Sequence, residues 1–450
     1  MMENRRILLI NPDWTGIKNQ KQRQFKRLWP PLSLALAGAM MERDGLEVRI
    51  LDNQVEGLSP REVGRIAGRY NAVFITSTPY DRWQCPSLDI SFFFDALRHI
   101  DKDKLFILGS HVTERPAAIL KESGARAAIL SEPEQTMLEM ALCPTPEKFT
   151  DIPGLAWLEQ DELRHSPSRG YMKNLDALPY PAFHLLPMKA YHYFPVMGKP
   201  FGILEASRGC PGKCNFCYMG MYGRQVRRKK VERFLDEVQW AVRTHGMKNI
   251  YFMDLEFAIN KKFVLAFCQG LLDRGIFINW CCQTRVTDMD EDLAAIMAKS
   301  GCSLIHFGVE AGADRILKQT GKGILVEDCH KALRLCRKHR IRTALFMNFG
   351  FPGELPYEME ETIKLSLSLN PTYAAFHLIV PFPGTGLAEQ CGLNIGDFPA
   401  HQYPHYNYFD HELILLKKVL HRAYFRFYLR PGPLFRVGMD AIKSIGSILH

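Results

Sequence analysis

Strand-like and helix-like segments alternate in two long series along this chain of 450 residues, and that alternation limits the folds open to it. The first series runs from residue 5 to about residue 145 and contains the apolar runs RRILLINP, EVRILDNQ, AVFITSTP and LFILGSHVT. Strands that alternate with helices form parallel sheets covered by helices. We therefore predict a Rossmann-like, doubly wound α/β domain over residues 1–145, with its ligand-binding loops at the carboxyl ends of the strands.

The second series contains six strand–helix units between residues 199 and 385, with predicted helices at 231–246, 260–274, 290–299, 325–339 and 357–369. A closed barrel of the TIM type has eight such units. The pattern therefore predicts an incomplete (β/α)6 TIM-type barrel with its functional residues at the carboxyl ends of the strands. Residues 146–198, rich in Pro, Tyr and His, are predicted to form a connector, and residues 386–450 a mostly helical C-terminal extension.

The composition argues against export, membrane spanning and nucleic-acid binding. No apolar stretch approaches the ~20 residues that cross a bilayer, and MMENRRILLINP lacks the apolar region of an export signal, so we expect a cytoplasmic protein. Its twelve cysteines are then expected as thiols or metal ligands rather than as disulfides. The net charge is +9, but the basic run RQVRRKK has no interleaved aromatic residues for stacking on bases. That run is more typical of a solvated helix entry, which can also attract an anionic substrate.

The stretch RGCPGKCNFCYMG (208–220) places Cys210, Cys214 and Cys217 on one short loop. Thiolates bind zinc or iron, and a structural zinc site needs a fourth protein ligand. No Cys or His lies between Tyr218 and Thr244 to supply one. Three thiolates instead suit a four-iron cluster that keeps one iron open for a substrate or cofactor.

Five motifs in this order resemble the radical S-adenosylmethionine (radical SAM) superfamily: CxxxCxxC after the first barrel strand, FMDLEF (252–257), GVEAGADRIL (308–317), GFPGE (350–354) and VPFPGTGL (380–387). The resemblance implies a [4Fe-4S] cluster whose open iron is chelated by SAM. An electron from a reductant such as flavodoxin or ferredoxin then cleaves SAM to methionine and a 5′-deoxyadenosyl radical. It also implies that Asp254 and Glu256 contact the SAM amino group, Glu310 the ribose hydroxyls and Arg315 the carboxylate.

Strand periodicity adds further candidates, because residues two apart on a strand share a face. His306, Gly308 and Glu310 then point the same way, as do Cys281, Gln283 and Arg285. If those faces line the barrel, Gln283 lies near SAM, and Arg285 and His306 lie near the reacting groups, together with Tyr218 directly after the last cysteine. The alternative interpretation of His306 and Cys281, as satisfied core residues, stays open.

The first domain resembles the cobalamin-binding radical SAM family, whose class B methyltransferases are similar in WPPLSLALAGAMMERDG, LGSHVTERP, SEPEQT and the connector. The candidate cobalamin contacts are Asn11, Asp13, Thr76, Ser77, Gly109, Ser110, His111, Val112, Glu132 and Glu134. Many cobalamin proteins carry a cobalt-ligating His in an Asp-x-His-x-x-Gly loop, whereas this loop reads NPDWTG. Cobalamin is therefore expected to bind without a His ligand from this loop; a sheet kept only as scaffold is the alternative.

The resemblance implies a C-methyltransferase that abstracts hydrogen from an unactivated carbon through the 5′-deoxyadenosyl radical and supplies the methyl group from methylcobalamin. The alternatives are non-methylating chemistry of the tetrapyrrole-cyclase or lipid-modifying type and, from another class, a binding or electron-transfer module. The substrate can be a protein or peptide side chain, a lipid or a small natural product. The tail 421–450 mixes Arg with aromatic residues and ends in an amphipathic pattern through Met439, Ile442, Ile445 and Leu449. It predicts docking on a membrane or on a hydrophobic substrate, or else packing on the protein's own barrel.

Overall fold

The computed structural model describes residues 5–14, 27–78, 86–143, 146–194, 196–407, 409–432 and 434–435. The chain divides into two compact units: unit 1 comprises Met1–Tyr191, Tyr218–Arg227 and Asn394–Tyr403, and unit 2 comprises His192–Cys217, Arg228–Leu393 and Pro404–His450. The helices in the described part are all too short or too polar to cross a bilayer. The amphipathic pattern predicted from Met439 to Leu449 lies outside the described residues.

Unit 1 contains an α/β sheet formed by the first part of the chain. Strands in this part are β1 (Arg6–Asn11), β2 (Arg27–Leu28), β3 (Glu47–Asp52), β4 (Ala72–Thr76), β5 (Leu105–Leu108), β6 (Ala127–Ile129), β7 (Leu155–Glu159) and β8 (Glu162–His165). Helices here are α1 (Leu32–Arg43), α2 (Asn53–Glu56), α3 (Pro60–Ala67), α4 (Ser91–Leu97), α5 (Ser110–Glu114), α6 (Pro116–Ser123) and α7 (Glu134–Leu142).

Seven of these strands form one sheet in the order β3-β1-β4-β5-β6-β7-β8, and the first five are parallel. Ile7 to Ile10 on the inner strand β1 are fully buried, as expected for a parallel strand covered on both faces. The predicted Rossmann-like architecture is confirmed. Because β3 and β4 lie on opposite sides of β1, the sheet changes winding direction beside β1, where open α/β sheets bind their ligands.

The last two strands of this sheet were not predicted, since they lie within the predicted connector. β7 pairs antiparallel with β6 and with β8, and the two turn residues Gln160 and Asp161 have φ values of 52° and 65°. Two consecutive positive φ values are the signature of a tight hairpin turn. β8 is mostly exposed, so its sequence lacks the apolar alternation that identifies a half-buried strand.

Unit 2 is built mostly from the chain after residue 192. Strands in this part are β9 (His192–Tyr193), β10 (Phe201–Leu204), β11 (Ser207–Arg208), β12 (Arg227–Arg228), β13 (Asn249–Phe252), β14 (Asn279–Thr284), β15 (Cys302–Glu310), β16 (Arg342–Phe349) and β17 (Tyr373–Leu378). Helices here are α8 (Val231–His245), α9 (Lys261–Asp273), α10 (Glu291–Lys299), α11 (Asp314–Gln319), α12 (Val326–Lys338), α13 (Pro356–Leu369), α14 (Gly386–Gln390) and α15 (Leu413–Tyr428).

Six of these strands form one parallel sheet in the order β10-β13-β14-β15-β16-β17, which confirms the predicted incomplete barrel. Consecutive strands are neighbours throughout, so all six carboxyl ends open at the same edge. Aromatic residues fill the layer between the sheet and its helices: the Phe234 and Phe267 rings lie 5.0 Å apart, and the Phe252 and Trp280 rings 5.3 Å apart. This core holds the strand ends in fixed positions for a site.

Helix α15 covers the free edge of this sheet. The Tyr424 hydroxyl accepts from the Phe376 N–H and donates to the Phe376 carbonyl, at 3.2 and 3.1 Å. The Tyr428 hydroxyl does the same with the backbone of Ala374, at 3.2 and 2.8 Å. A four-residue spacing on the helix thus matches a two-residue spacing on β17. The tyrosines satisfy edge groups that would otherwise be open to pairing with another chain.

Candidate functional site

The three cysteines of the predicted cluster motif lie on one loop after β11, and each is half-buried. An ideal Cβ atom built on Gly212 would lie 3.3 Å from the Cys210 Sγ and 3.8 Å from the Cys214 Sγ. The missing side chain at residue 212 thus leaves space beside both thiols for a bound group. Among the described residues, no three His, Cys, Asp or Glu side chains converge on a point suited to one metal ion. The three cysteines of the loop have the residue types that hold a four-iron cluster.

Buried contacts hold this loop in place. Arg208 and Glu205, both buried, form an ion pair with 2.6 Å between Arg208 Nη2 and Glu205 Oε1. Further along, the Asn215 N–H donates to the Thr320 carbonyl at 2.9 Å, and the Leu387 N–H donates to the Asn215 carbonyl at 2.8 Å. These contacts fix the loop through its backbone and through the side chains of Arg208 and Glu205.

Two predicted carboxyl groups lie just beyond β13, and both are buried. Asp254 accepts a hydrogen bond from the Ser207 hydroxyl, next to the cysteine loop. Glu256 accepts from the Arg285 N–H at 2.9 Å and from the Thr284 hydroxyl. Burial raises the pKa of Glu256 to about 8. At neutral pH Glu256 is therefore mostly a neutral acid, which can donate as well as accept a hydrogen bond.

Glu310 ends β15 in the left-handed region, with a φ of 68°. Its Oε1 lies 2.5 Å from the Lys322 Nζ, and its Oε2 accepts from the Asn348 amide at 2.5 Å. Burial has the largest single influence and lowers the pKa of Lys322, but Glu310, Cys214 and Glu256 together raise that pKa above its ordinary value, so the lysine stays charged. The sequence reasoning missed Lys322. The signal was its position in TGKG (320–323), where Gly321 and Gly323 both have positive φ.

Arg315, the residue predicted for the SAM carboxylate, lies apart from this group. Its side chain on α11 is 52% exposed and is paired with Glu358, with 2.5 Å between Arg315 Nη2 and Glu358 Oε2. The same nitrogen donates to the Gly353 carbonyl. The structure therefore brings Lys322, rather than Arg315, to Glu310. The predicted role of Arg315 stays a prediction.

His306 lies in the middle of β15 and is 2% exposed. Its Nε2 lies 3.4 Å from the Tyr193 hydroxyl, and its ring centre lies 5.4 Å from that of Tyr251 and 5.6 Å from that of Phe346. The Tyr251 hydroxyl in turn donates to the Gln283 amide oxygen at 3.3 Å. The structure thus joins His306 and Gln283 through an aromatic group on one face of the sheet.

In unit 1, several predicted cofactor contacts come together where β4 and β5 end. Gly109 has a φ of 117°, and a Cβ there would lie 2.5 Å from the Ser77 Oγ and 2.8 Å from the Thr78 Oγ1. The Ser110 N–H donates to the Thr78 hydroxyl at 2.8 Å, and the Thr78 N–H donates to the Thr76 hydroxyl at 3.1 Å. Only glycine fits at residue 109, because the Ser77 and Thr78 hydroxyls pack directly against it at the edge where this class of sheet binds ligands.

His111 follows in the same turn and is fully buried, next to the fully buried Val112. Its Nδ1 lies 3.2 Å from the Ser77 Oγ, and its Nε2 lies 2.7 Å from the Ser87 carbonyl. Burial lowers the pKa of His111 to about 4, so the ring is neutral. Because both ring nitrogens are engaged within the protein, His111 does not offer one to a metal. This arrangement fits a cobalamin bound without a histidine on cobalt.

Asn11 and Asp52 occupy the carboxyl ends of the neighbouring strands β1 and β3. The fully buried Asn11 amide donates to the Asp52 Oδ1 at 2.9 Å, and the Tyr191 hydroxyl donates to the Asp52 Oδ2 at 2.7 Å. Within the described residues, the Asn11 Oδ1 has no hydrogen-bond donor, so it is free to accept from a bound group. Asp13, two residues further on, is half-buried.

Asp52→Asn is expected to change how stability depends on pH. Burial raises the pKa of Asp52 from 3.8 to about 6. The folded state therefore holds the proton more tightly, and the free energy of unfolding falls as pH rises from about 3.8 to 6. At neutral pH the ionised Asp52 therefore lowers the free energy of unfolding by up to roughly 3 kcal/mol, at 1.36 kcal/mol for each unit by which the pKa is raised. In denaturant unfolding, the free energy of unfolding of D52N relative to that of the wild type should be higher at pH 7.5 than at pH 4. The exposed Asp44→Asn, as control, should show no such difference; equal pH profiles for D52N and wild type would contradict this account.

Three remaining predicted residues belong to unit 1 and are buried: Glu132, Glu134 and Tyr218. The Glu132 Oε1 pairs with the Arg227 Nη1 at 2.5 Å, and its Oε2 accepts from the Met172 N–H at 2.8 Å. With both oxygens engaged, the geometry favours a structural role for Glu132. Glu134 begins α7. Tyr218 lies beside Glu114, and its predicted role stays a prediction.

Comparisons with known proteins agree with this geometry. A family model described as the radical SAM superfamily matches residues 204–366. An uncharacterised methyltransferase of Pyrococcus horikoshii is 30% identical over 459 residues, which cover 98% of this chain and 96% of the relative. An anaerobic magnesium-protoporphyrin IX monomethyl ester cyclase of Rubrivivax gelatinosus is 26% identical over 413 residues, which cover 88% of this chain and 72% of the relative.

Among solved structures, the cobalamin-dependent S-adenosylmethionine radical enzyme OxsB, with aqua-cobalamin and S-adenosylmethionine bound, has the same fold. The TM-score is 0.73 at 15% identity, and the match covers 99% of this chain and 72% of that chain. The likeness therefore extends over both units.

Proposed function

This chain belongs to the radical SAM superfamily, and from that premise we propose that it is a cobalamin-dependent C-methyltransferase acting on an unactivated carbon. Its similarity to a protein named as a methyltransferase, across nearly the full length of both chains, supports the methyl-transfer reaction. The fold shared with a cobalamin-dependent enzyme supports the second cofactor.

One observation carries the proposal: the cysteine loop and the polar strand ends form a single electrostatic site. The Asn215 N–H, directly after Cys214, donates to the Thr320 carbonyl at 2.9 Å, and Lys322, two residues beyond Thr320, pairs with Glu310 at 2.5 Å. Glu310 is the last residue of β15 and Lys322 follows that strand, so the fold brings both to the cysteine loop from a distant part of the sequence. Thiolates for a cluster and polar groups for a charged cofactor therefore lie within range of each other.

When bound, the cluster and SAM supply one-electron cleavage of SAM, and cobalamin supplies the methyl group. Cys210, Cys214 and Cys217 would hold the cluster and leave one iron open. Glu310 would accept from the ribose hydroxyls and Lys322 would hold the carboxylate. Burial of these groups excludes water, which strengthens their interactions and protects reactive species.

The residues of unit 1 would hold cobalamin at the carboxyl ends of β1, β4 and β5. Asn11 offers a buried acceptor, and the packing of the Ser77 and Thr78 hydroxyls on Gly109 fixes the turn that would face the cofactor. Neutral His111, with both ring nitrogens occupied, leaves the cobalt without a protein ligand from this turn.

A radical SAM enzyme requires an electron donor, and we propose flavodoxin or ferredoxin for this role. We further propose a cytoplasmic location, no nucleic-acid partner, and a substrate that is a protein or peptide side chain, a lipid or a small natural product. Peripheral membrane contact would use the exposed Phe425 on α15 and the exposed Leu429 directly after it, which lie close in sequence to Arg422 and Arg426.

A second candidate is a reaction of the same cofactors without methyl transfer, such as ring closure. The similarity to a protein named as a tetrapyrrole ester cyclase favours it. The two candidates differ in their products. Methylation converts one SAM to S-adenosylhomocysteine and a second to 5′-deoxyadenosine, whereas ring closure forms 5′-deoxyadenosine alone.

Product analysis is expected to show one equivalent each of S-adenosylhomocysteine and 5′-deoxyadenosine per turnover. The anaerobically reconstituted protein would be given dithionite, cobalamin and SAM with a labelled methyl group. Lipid, peptide and small-metabolite fractions of the source cells would be tested separately as substrates. Label in one fraction, with the two products in equal amounts, supports methylation. Substrate-dependent 5′-deoxyadenosine without S-adenosylhomocysteine favours the second candidate, and no SAM cleavage in any fraction overturns both.

A further inference from the structure

Arg285 is the first residue after β14 and lies against the cysteine loop. An ideal Cβ on Gly212 would lie 3.3 Å from the Arg285 Nη1, at the same point that is 3.3 Å from the Cys210 Sγ and 3.8 Å from the Cys214 Sγ. The guanidinium and the two thiols therefore surround one small space. The Arg285 N–H donates to Glu256, which fixes the backbone from which the side chain extends.

The charge of Arg285 is not neutralised by direct contact. Within the ranges that the structure describes, its guanidinium forms no ion pair and no hydrogen bond; Asp288 acts on it only at longer range. Lys322, a second cation near the loop, is paired with Glu310 at 2.5 Å. A half-buried guanidinium without a paired anion is costly unless an anionic group binds beside it.

The Arg285 charge lies beside two of the thiols that would hold the cluster. A four-iron cluster held by three thiolates gains one negative charge when it accepts an electron. A fixed cation at this distance favours the more negative state, and net charge is one of the factors that set cluster potentials.

We propose that Arg285 is a positioning charge that raises the reduction potential of the cluster held by Cys210, Cys214 and Cys217. This inference rests on the proposed function, because it requires the cluster. The step is a one-electron reduction by an external donor such as dithionite. No proton is transferred, because a guanidinium keeps its proton throughout the accessible pH range.

A different role, as counter-ion for the carboxylate of SAM alone, predicts a different result. In that case the charge would act only after SAM binds, and the potential of the SAM-free cluster would not depend on residue 285. The decisive measurement is therefore made without SAM.

The experiment compares wild type, Arg285→Gln and Arg285→Lys by potentiometric titration of the SAM-free cluster, followed by electron paramagnetic resonance. R285Q should lower the equilibrium constant for reduction at least tenfold, which is a shift of 59 mV for one electron. R285K keeps the charge and should change the equilibrium constant for reduction less than R285Q does. Arg315→Gln removes a half-exposed charge paired with Glu358 and should leave the potential unchanged.

Iron counts separate failure of this inference from failure of the proposed function. If the wild-type protein binds no four-iron cluster, this inference loses its premise and the proposed function is wrong. A fully loaded R285Q with the wild-type SAM-free potential overturns the role of Arg285, even if SAM binds more weakly. If R285Q does not load fully, Asp288→Asn carries the test. It removes an anion that acts on Arg285, so it should raise the equilibrium constant for reduction; no change or a decrease would overturn the proposal.

Discussion

Cys214→Ala is expected to abolish the iron–sulfur cluster and with it the reductive cleavage of SAM. Changing outer-sphere partners of metal ligands already costs ~10–100-fold in affinity or activity, so loss of one of three direct ligands should lower 5′-deoxyadenosine formation by more than ~100-fold. The loop itself should persist, because the Asn215 backbone, rather than the thiol, ties it to Thr320 and Leu387. Iron, sulfide and 5′-deoxyadenosine per chain are the quantities to measure.

Cys391→Ala is the matched control. Cys391 is also a half-buried free thiol in unit 2, and its Sγ lies 3.7 Å from the Asn407 Oδ1, outside the cysteine loop. It should keep the iron content and the cleavage rate of the wild type. Full iron content and normal SAM cleavage in C214A would show that this thiol is not a cluster ligand.

Most of the fold could be predicted from the sequence because parallel strands are buried on both faces and read as continuous apolar runs. The runs at Ile7 to Ile10 and at the barrel strands carry that signal. The hairpin of β7 and β8 could not be predicted in the same way, because its outer strand is exposed and polar. Its turn residues, Gln160 and Asp161, are also not the Asn-Gly or Asp-Gly pair that marks such a turn in a sequence.

The candidate site could also be predicted only in part. Spacing along the chain identified the cysteines and the acidic strand ends, since each motif is local. Contacts between distant residues are set by tertiary packing and have no local pattern. Glu132 and Arg227 are 95 residues apart in sequence, and nothing near either residue indicates the other. For Lys322 the partner Glu310 is only 12 residues away, but the bulge in β15 between Gly308 and Glu310 breaks the simple strand alternation.

Glu132→Ala is expected to be strongly destabilising, because it leaves a buried cation without its partner. The Glu132 and Arg227 side chains are 4% and 5% exposed. Arg227 also donates to the Met172 and Tyr222 carbonyls, at 2.9 and 2.6 Å, so it cannot turn towards solvent without breaking both bonds. Breaking such a buried pair from one side costs ~3–5 kcal/mol, which denaturant unfolding of the full chain should detect as a lower midpoint.

Two further variants isolate the cause. Glu162→Ala breaks the ion pair with Arg164, whose side chains are 71% and 50% exposed, and should cost less than ~1 kcal/mol. The double variant Glu132→Leu with Arg227→Met removes both buried charges and should recover much of the loss, since apolar replacements of a buried pair are often neutral. If E132A costs no more than E162A, the pair is not a determinant of stability. If the double variant is worse than E132A, packing rather than charge explains the loss.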